Sequence, residues 1–164
     1  MSLSVDCENL LGYSDAERVK WKAWIAEDPT RLQLPFQPGG RFPVFWNLLE
    51  HVFLVERRHL ARLEGSEPPD GTGVGEGDWE GLFEYADLVR ADFRRWVADL
   101  DEEDCSKQLT ITVASGTSVM SCRKLALHML LHEIRHLAQM AYAARVAGVA
   151  PPGQHDYFYF PETS

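Results

Sequence analysis

Half of the six histidines, His128, His132 and His136, recur at every fourth position within Leu127–Tyr142, LHMLLHEIRHLAQMAY. On a helix, at about 100° per residue, each four-residue step drifts by only about 40°, so the three imidazoles form one ridge. A ridge of imidazoles is an expensive thing to aim at a core, because each neutral ring carries a donor and an acceptor that must be satisfied if buried. Two on adjacent turns can instead share a divalent metal. His132 and His136 are the expected pair, with His128, one turn earlier, as a hydrogen-bonding neighbour of the site. A catalytic ion commonly has three protein ligands and an open position, so a third ligand must come from elsewhere. His51 is the best candidate, lying in mid-helix among apolar residues of a different segment. His59, between Arg57, Arg58 and Arg62, reads as a solvated surface residue, and His155 carries no periodic signal. Gln139 lies about 20° around the helix from His132, in position to hydrogen-bond a ligand or to act as a weak one.

His132-Glu133-Ile134-Arg135-His136 also satisfies HExxH, the pattern in which two histidines bind zinc and the glutamate serves a peptidase as general base. The extended form of that motif wants glycine and histidine where Gln139 and Tyr142 stand. A downstream glutamate ligand has only Glu162 to draw on, with His155 or Asp156 as substitutes, and there is little strand content to align a peptide. The peptidase reading therefore ranks below the bundle reading. Glu56 falls about 140° around its helix from His51, which suits an ion pair or hydrogen bond better than catalysis.

The segments that must position these residues are helical. Ser14-Asp15-Ala16-Glu17 is a capping-box pattern, at the start of a first helix or inside a longer one beginning near Leu10. Val19, Trp21, Trp24 and Ile25 form its apolar side, and Asp28-Pro29 ends it. A second helix is expected from Arg41 or Pro43 to Glu64, with Gly65 closing it. Ser66–Gly77 reads as a surface loop. Asp78 caps a third helix through Leu100, and the acidic run Asp101–Asp104 follows as a solvated connection. Thr and Val alternate in Gln108–Met120 around Ser115-Gly116, which predicts a short hairpin. The last helix runs from Ser118 or Ser121 to Ala147, closed by Gly148. The aromatic tail Asp156–Phe160 is expected to fold back onto the helices. The whole is an all-α, antiparallel four-helix bundle with a β-hairpin-like insertion between helices three and four, one domain over residues 1–164.

Composition narrows the function. Asp and Glu number 25 against 16 Lys and Arg, a net charge of −9, which argues against a nucleic-acid surface. With no apolar run long enough to span a bilayer and no leader pattern, the expectation is a soluble cytoplasmic protein with no membrane partner. Cys7, Cys105 and Cys122 show no CxxC spacing and read as thiols in a reducing compartment.

The segments YSDAERVKWKAWI, LLEHVFLVERRHLARLEG and LHMLLHEIRHLAQM together resemble the DinB-like (DinB/YfiT) superfamily of bacterial four-helix-bundle metalloproteins. The resemblance covers nearly the whole chain, and its specific part is the HxxxH pair followed by glutamine. Carried over, it makes His51, His132 and His136 the metal ligands, matches Gln139 to the family's glutamine, and matches His128 to a histidine that is usually not a ligand. Leu137-Ala138 departs from the Arg-Gly that many members have there. The resemblance implies either thiol-dependent transfer or isomerisation, using mycothiol, bacillithiol or glutathione, or metal-dependent hydrolysis, with transfer favoured. It also implies a small-molecule substrate and a homodimer. Zinc or nickel leads among the metals, with iron and manganese also able to accept three imidazoles. A contrasting reading is a non-enzymatic metal-binding module in stress response or interaction.

Overall fold

The computed structural model describes residues 7–113 and 116–161. Its elements in chain order are α1 (Cys7–Glu27), α2 (Phe45–Leu63), α3 (Trp79–Ala98), α4 (Glu102–Ser106), β1 (Gln108–Val113), β2 (Gly116–Ser121) and α5 (Cys122–Val146), with short 3-10 turns at Pro29–Gln33 and Tyr157–Tyr159. The expected helices and hairpin are present, and their boundaries differ for identifiable reasons. Part of the predicted turn, residues 114–115, lies outside the described residues, as does Glu162.

α1 begins at Cys7, so Ser14 is interior to it and caps nothing. α2 begins at Phe45 because the preceding residues are paired elsewhere. Phe36 and Gln37 donate their N–H groups to the carbonyls of Pro43 and Phe42 at 2.9 and 3.0 Å, making residues 35–44 a narrow loop. The far ends of two helices close as expected. Gly65 takes φ +70°, and Ser66 N–H reaches the Ala61 carbonyl at 2.8 Å. Gly148 takes φ +78°, with Val149 N–H on the Ala144 carbonyl at 2.9 Å, so both form the six-to-one closure that a left-handed residue permits. The acidic run is a correction. Asp101 accepts from the Asp104 N–H at 2.7 Å and caps α4, so Glu102, Glu103 and Asp104 occupy a helix first turn, where the macrodipole favours negative charge.

The chain falls into two compact units: one takes in the residues up to Leu48 and from Leu130 onward, the other Leu49–Met129. In the first, Leu11, Trp21, Ile25, Leu32, Phe45, Trp46, Leu130, Leu137 and Met140 are fully or almost fully buried. Trp21 meets Trp24 edge-on at 5.3 Å, and Trp24 satisfies its indole N–H on the Ala150 carbonyl at 2.8 Å. Val19, read from the sequence as core-facing, is 67% exposed. The tail docks only in part. The Tyr13 hydroxyl donates to the His155 carbonyl, and the Phe160 ring lies against Tyr13 at 5.8 Å, while Phe158 is 83% exposed.

In the second unit, Val52, Phe53 and Leu60 of α2 and Leu82, Phe83, Val89 and Phe93 of α3 are buried, with Phe53 edge-on to Phe83 at 5.4 Å. Asp78 caps α3 by accepting the Gly81 N–H at 3.0 Å, as its sequence position predicts. Glu56, the acid on the apolar stripe of α2, is buried in an ion pair with Arg90 of α3, its Oε1 2.9 Å from the Arg90 Nε. β1 and β2 pair antiparallel, Gln108 opposite Ser121 and Leu109 opposite Met120. The Cys122 N–H continues the pairing to the Lys107 carbonyl at 2.9 Å, so the hairpin leads directly into α5. The three cysteines form no disulfide. Among the described residues no helix is long and apolar enough to cross a membrane.

Candidate metal centre

α5 positions the histidine pair by its period alone. His132 and His136 are both buried, and their Nε2 atoms face each other at 3.1 Å with ring centres 4.4 Å apart. The next turn sets the chemistry of His136. Gln139 Oε1 lies 2.7 Å from His136 Nδ1 and, as an amide oxygen, can only accept. The ring proton therefore sits on Nδ1, and Nε2 presents its lone pair toward His132. A hydrogen bond to the distal ring nitrogen is the usual way a ligating histidine is oriented and its tautomer selected. The donor set thus fits a metal ion, on geometry and on protonation alike.

Burial, the largest influence, pushes the His136 imidazolium below its ordinary pKa, the Gln139 hydrogen bond opposes this, and the Arg135 and Arg41 charges push the same way as burial. A ring kept neutral near pH 7 is ready to ligate without first releasing a proton. Arg135 Nη2 lies 3.3 Å from His136 Nε2. The Phe42 ring stands edge-on to His136 at 6.4 Å and carries the Arg41 guanidinium on its other contact, 5.0 Å from the ring centre. Neither arginine was singled out from the sequence.

The remaining sequence candidates have other partners. Glu133, the would-be peptidase base, is buried and turned toward α1: Arg18 Nε meets its Oε1 at 2.5 Å, Arg18 Nη2 meets Oε2 at 3.2 Å, and the Ser14 hydroxyl donates to Oε2. His155 is occupied by Glu17, with Nδ1 2.5 Å from Oε2, and its ring stacks on Trp21 at 5.6 Å. Burial would raise the Glu17 carboxyl, but hydrogen bonds from His155 and Lys20 outweigh it and hold the group below its ordinary value. Asp156 caps the tail turn, accepting the Phe158 N–H at 3.1 Å.

His51 is half-buried on α2, with Val52 and Phe53 next to it in the core. His128 faces His59, the ring centres 5.4 Å apart, over a cavity of about 280 Å³ that Met120 and Lys124 also line. His59 is not the solvated residue its arginine neighbours suggested. Burial first, then the charges of Arg62 and His128, push its pKa down to about 4.

No curated protein matches the chain. Among solved structures, YfiT from Bacillus subtilis, described as a probable metal-dependent hydrolase with an unusual four-helix bundle topology, matches with a TM-score of 0.68. The match covers 92% of this chain and 94% of that one at 12% identity. At so low an identity the likeness speaks for the fold alone, and it is the four-helix-bundle fold expected from the helical periodicities. The DinB superfamily pattern matches residues 15–140, a span that includes His51, His132, His136 and Gln139. On that match, which takes in well over half of the sequence, the chain belongs to the DinB superfamily.

Proposed function

We propose that this protein is a metal-dependent enzyme in which His51, His132 and His136 hold one divalent ion and leave part of its coordination to a small-molecule substrate. One observation carries the reading: within α5 the Nε2 atoms of His132 and His136 face each other at 3.1 Å while Gln139 holds the outer nitrogen of His136 at 2.7 Å, and the family resemblance supplies His51 as the third ligand. An all-imidazole donor set suits zinc, nickel or iron and gives a hard ion such as magnesium little to hold. Three protein ligands make a site that is not closed, as a purely structural zinc would be.

An ion bound there would acidify a coordinated thiol or water. The chain's own contribution is to keep the imidazoles neutral, to fix the His136 tautomer through Gln139, and to place the Arg135 guanidinium beside the ligand nitrogen. Thiol-dependent transfer is the favoured reaction on the family resemblance, and a thiol or water acidified by the ion would in either case act without a general base. Glu133, the carboxylate adjoining His132 in sequence, is engaged by Arg18 and Ser14 and does not serve as one. Hydrolysis is the second reading, and the description of YfiT speaks for it.

The test is metal analysis of the purified protein, followed by cobalt substitution and titration with mycothiol, bacillithiol and glutathione. A change in the cobalt spectrum with one of these thiols supports transfer. An unchanged spectrum with all three, together with metal-dependent cleavage of ester or amide substrates, supports hydrolysis. Protein that takes up no metal overturns both.

A further inference from the structure

α5 carries a second feature one turn beyond His136. Pro35 and Phe36 of the loop, with Ala138, Tyr142, Ala143 and Val146 of α5, wall a cavity of about 720 Å³ that Gln139 and Arg135 also line. That volume is typical of small-molecule sites, and mostly apolar walls with a few placed polar groups are their usual make-up. Tyr142 and Val146 stand 70% and 71% exposed, so the apolar wall is open to solvent rather than filled by the chain. The polar end of the cavity is the His136 end, since Gln139 is both a wall residue and the partner of His136 Nδ1.

The charge at that end is positive. Acids outnumber bases by 25 to 16, and Arg18, Arg31, Arg57, Arg90, Arg95 and Arg123 each have a carboxylate partner. Among the described residues Arg58, Arg62 and Arg145 lack a carboxylate but bond backbone carbonyls or His59, whereas Arg135 contacts His136 and Arg41 lies over Phe42, neither with a carboxylate. Arg135, a wall residue in contact with His136, and Arg41, which lies over the Phe42 ring that meets the same imidazole, are guanidiniums left to receive an anion from outside, preferably one they can grip with paired N–H groups.

We infer that this cavity is the substrate subsite, and that it takes an amphiphilic organic anion: an apolar body lies along Tyr142, Ala143 and Val146, and a carboxylate is held by Arg135 and Arg41 beside His136. The inference rests on the metal-enzyme reading for its place in a reaction, but the binding itself does not need the ion. Apolar burial supplies affinity without direction, and the arginines supply the orientation that brings the charged end of the molecule to the histidines.

Binding of octanoate, 1-octanol and octylamine to the metal-loaded protein and to the same protein after chelation, followed by calorimetry, tests this. Octanoate should bind at least tenfold more tightly than octanol, and octylamine, a cation at neutral pH, more weakly than either. Replacing both arginines (Arg41→Gln with Arg135→Gln) should erase the octanoate preference and leave octanol binding within about twofold. Val146→Asp should weaken octanoate and octanol alike. Retention of the octanoate preference after chelation supports the arginine assignment. Its loss on chelation, with the arginine double variant still showing it, would mean that the metal alone receives the anion and would overturn the assignment while leaving the metal site standing. Equal binding of all three probes overturns the proposal, as does a dimer in sedimentation that buries this face, falls apart in Val146→Asp and binds no probe. Absence of metal from the purified protein, with the probe results as expected, would instead sink the metal-enzyme reading and leave the anion subsite in place.

Discussion

Arg18 on α1 and Glu133 on α5 form a buried pair, with Nε to Oε1 at 2.5 Å and Nη2 to Oε2 at 3.2 Å, and Ser14 supplies a further hydrogen bond to the same carboxylate. The pair satisfies two desolvated charges with forked geometry and joins the first helix to the turn that carries His132. It also sets the glutamate of the HExxH match apart from the histidines: Glu133 points off the histidine ridge by about 100° and into α1.

Arg18→Ala should destabilise the protein by about 3–5 kcal/mol, since it leaves the Glu133 carboxylate buried without its counter-charge. Replacing both partners with apolar residues, as in Arg18→Met with Glu133→Leu, should recover most of that loss. Urea unfolding midpoints of the single and double variants measure it. Glu133→Gln should keep its metal, and a fall in bound metal to the level of His136→Ala would place Glu133 among the ligands after all.

The Gln139–His136 contact predicts a graded effect on metal affinity. Gln139→Leu removes the group that holds the His136 tautomer and should weaken binding about 10–100-fold. His51→Ala and His136→Ala should each lower metal content to a similar extent. Competition with a chromophoric chelator reads all three, and full metal retention by His51→Ala would remove it from the ligand set.

The low pKa of His59, about 4 against an ordinary 6.5, has a defined consequence for stability. The folded state resists protonating this ring, so between these values the unfolded chain binds more protons, and stability falls as the pH is lowered from about 6.5 toward 4. Above that window the contribution is fully present. With a discount for partial exposure, the loss attributable to His59 is on the order of 2 kcal/mol. Unfolding midpoints at pH 7 and pH 4.5 should therefore differ less in His59→Gln than in the parent protein, and an identical difference would refute the assignment.

Gly12 lies inside α1, where alanine is ordinarily favoured by up to about 1 kcal/mol. A Cβ at this position would stand 3.2 Å from the Phe160 ring, so the docked tail opposes the gain. Gly12→Ala should be close to neutral in the parent and stabilising by about 0.5–1 kcal/mol in a Phe160→Ala background. Thermal unfolding of the four proteins closes the cycle, and equal effects in both backgrounds would show that the ring and Gly12 do not interact.

The features legible in the sequence are those whose cause lies within a few residues. The His132–His136 ridge follows from the helical period, and the stops at Gly65 and Gly148 follow from the left-handed conformation that glycine adopts freely. Asp78 reads as a cap, and the β1–β2 hairpin as an alternation, for the same local reason. Even the position of Gln139, three residues past His136, follows from the period that brings them to 2.7 Å.

Tertiary structure alone decided which side chains meet across long stretches of chain. Glu133 finds Arg18 at a separation of 115 residues, and His155 finds Glu17 at 138, so nothing near Glu133 or His155 in sequence announces its partner. The partial burial of His59, the exposure of Val19, and the pairing of residues 35–44 that delays α2 to Phe45 are of the same kind. A helical period specifies the direction of a side chain around its own axis. What lies in that direction depends on chain closure, and the free energy that selects it is spread over contacts no local stretch contains.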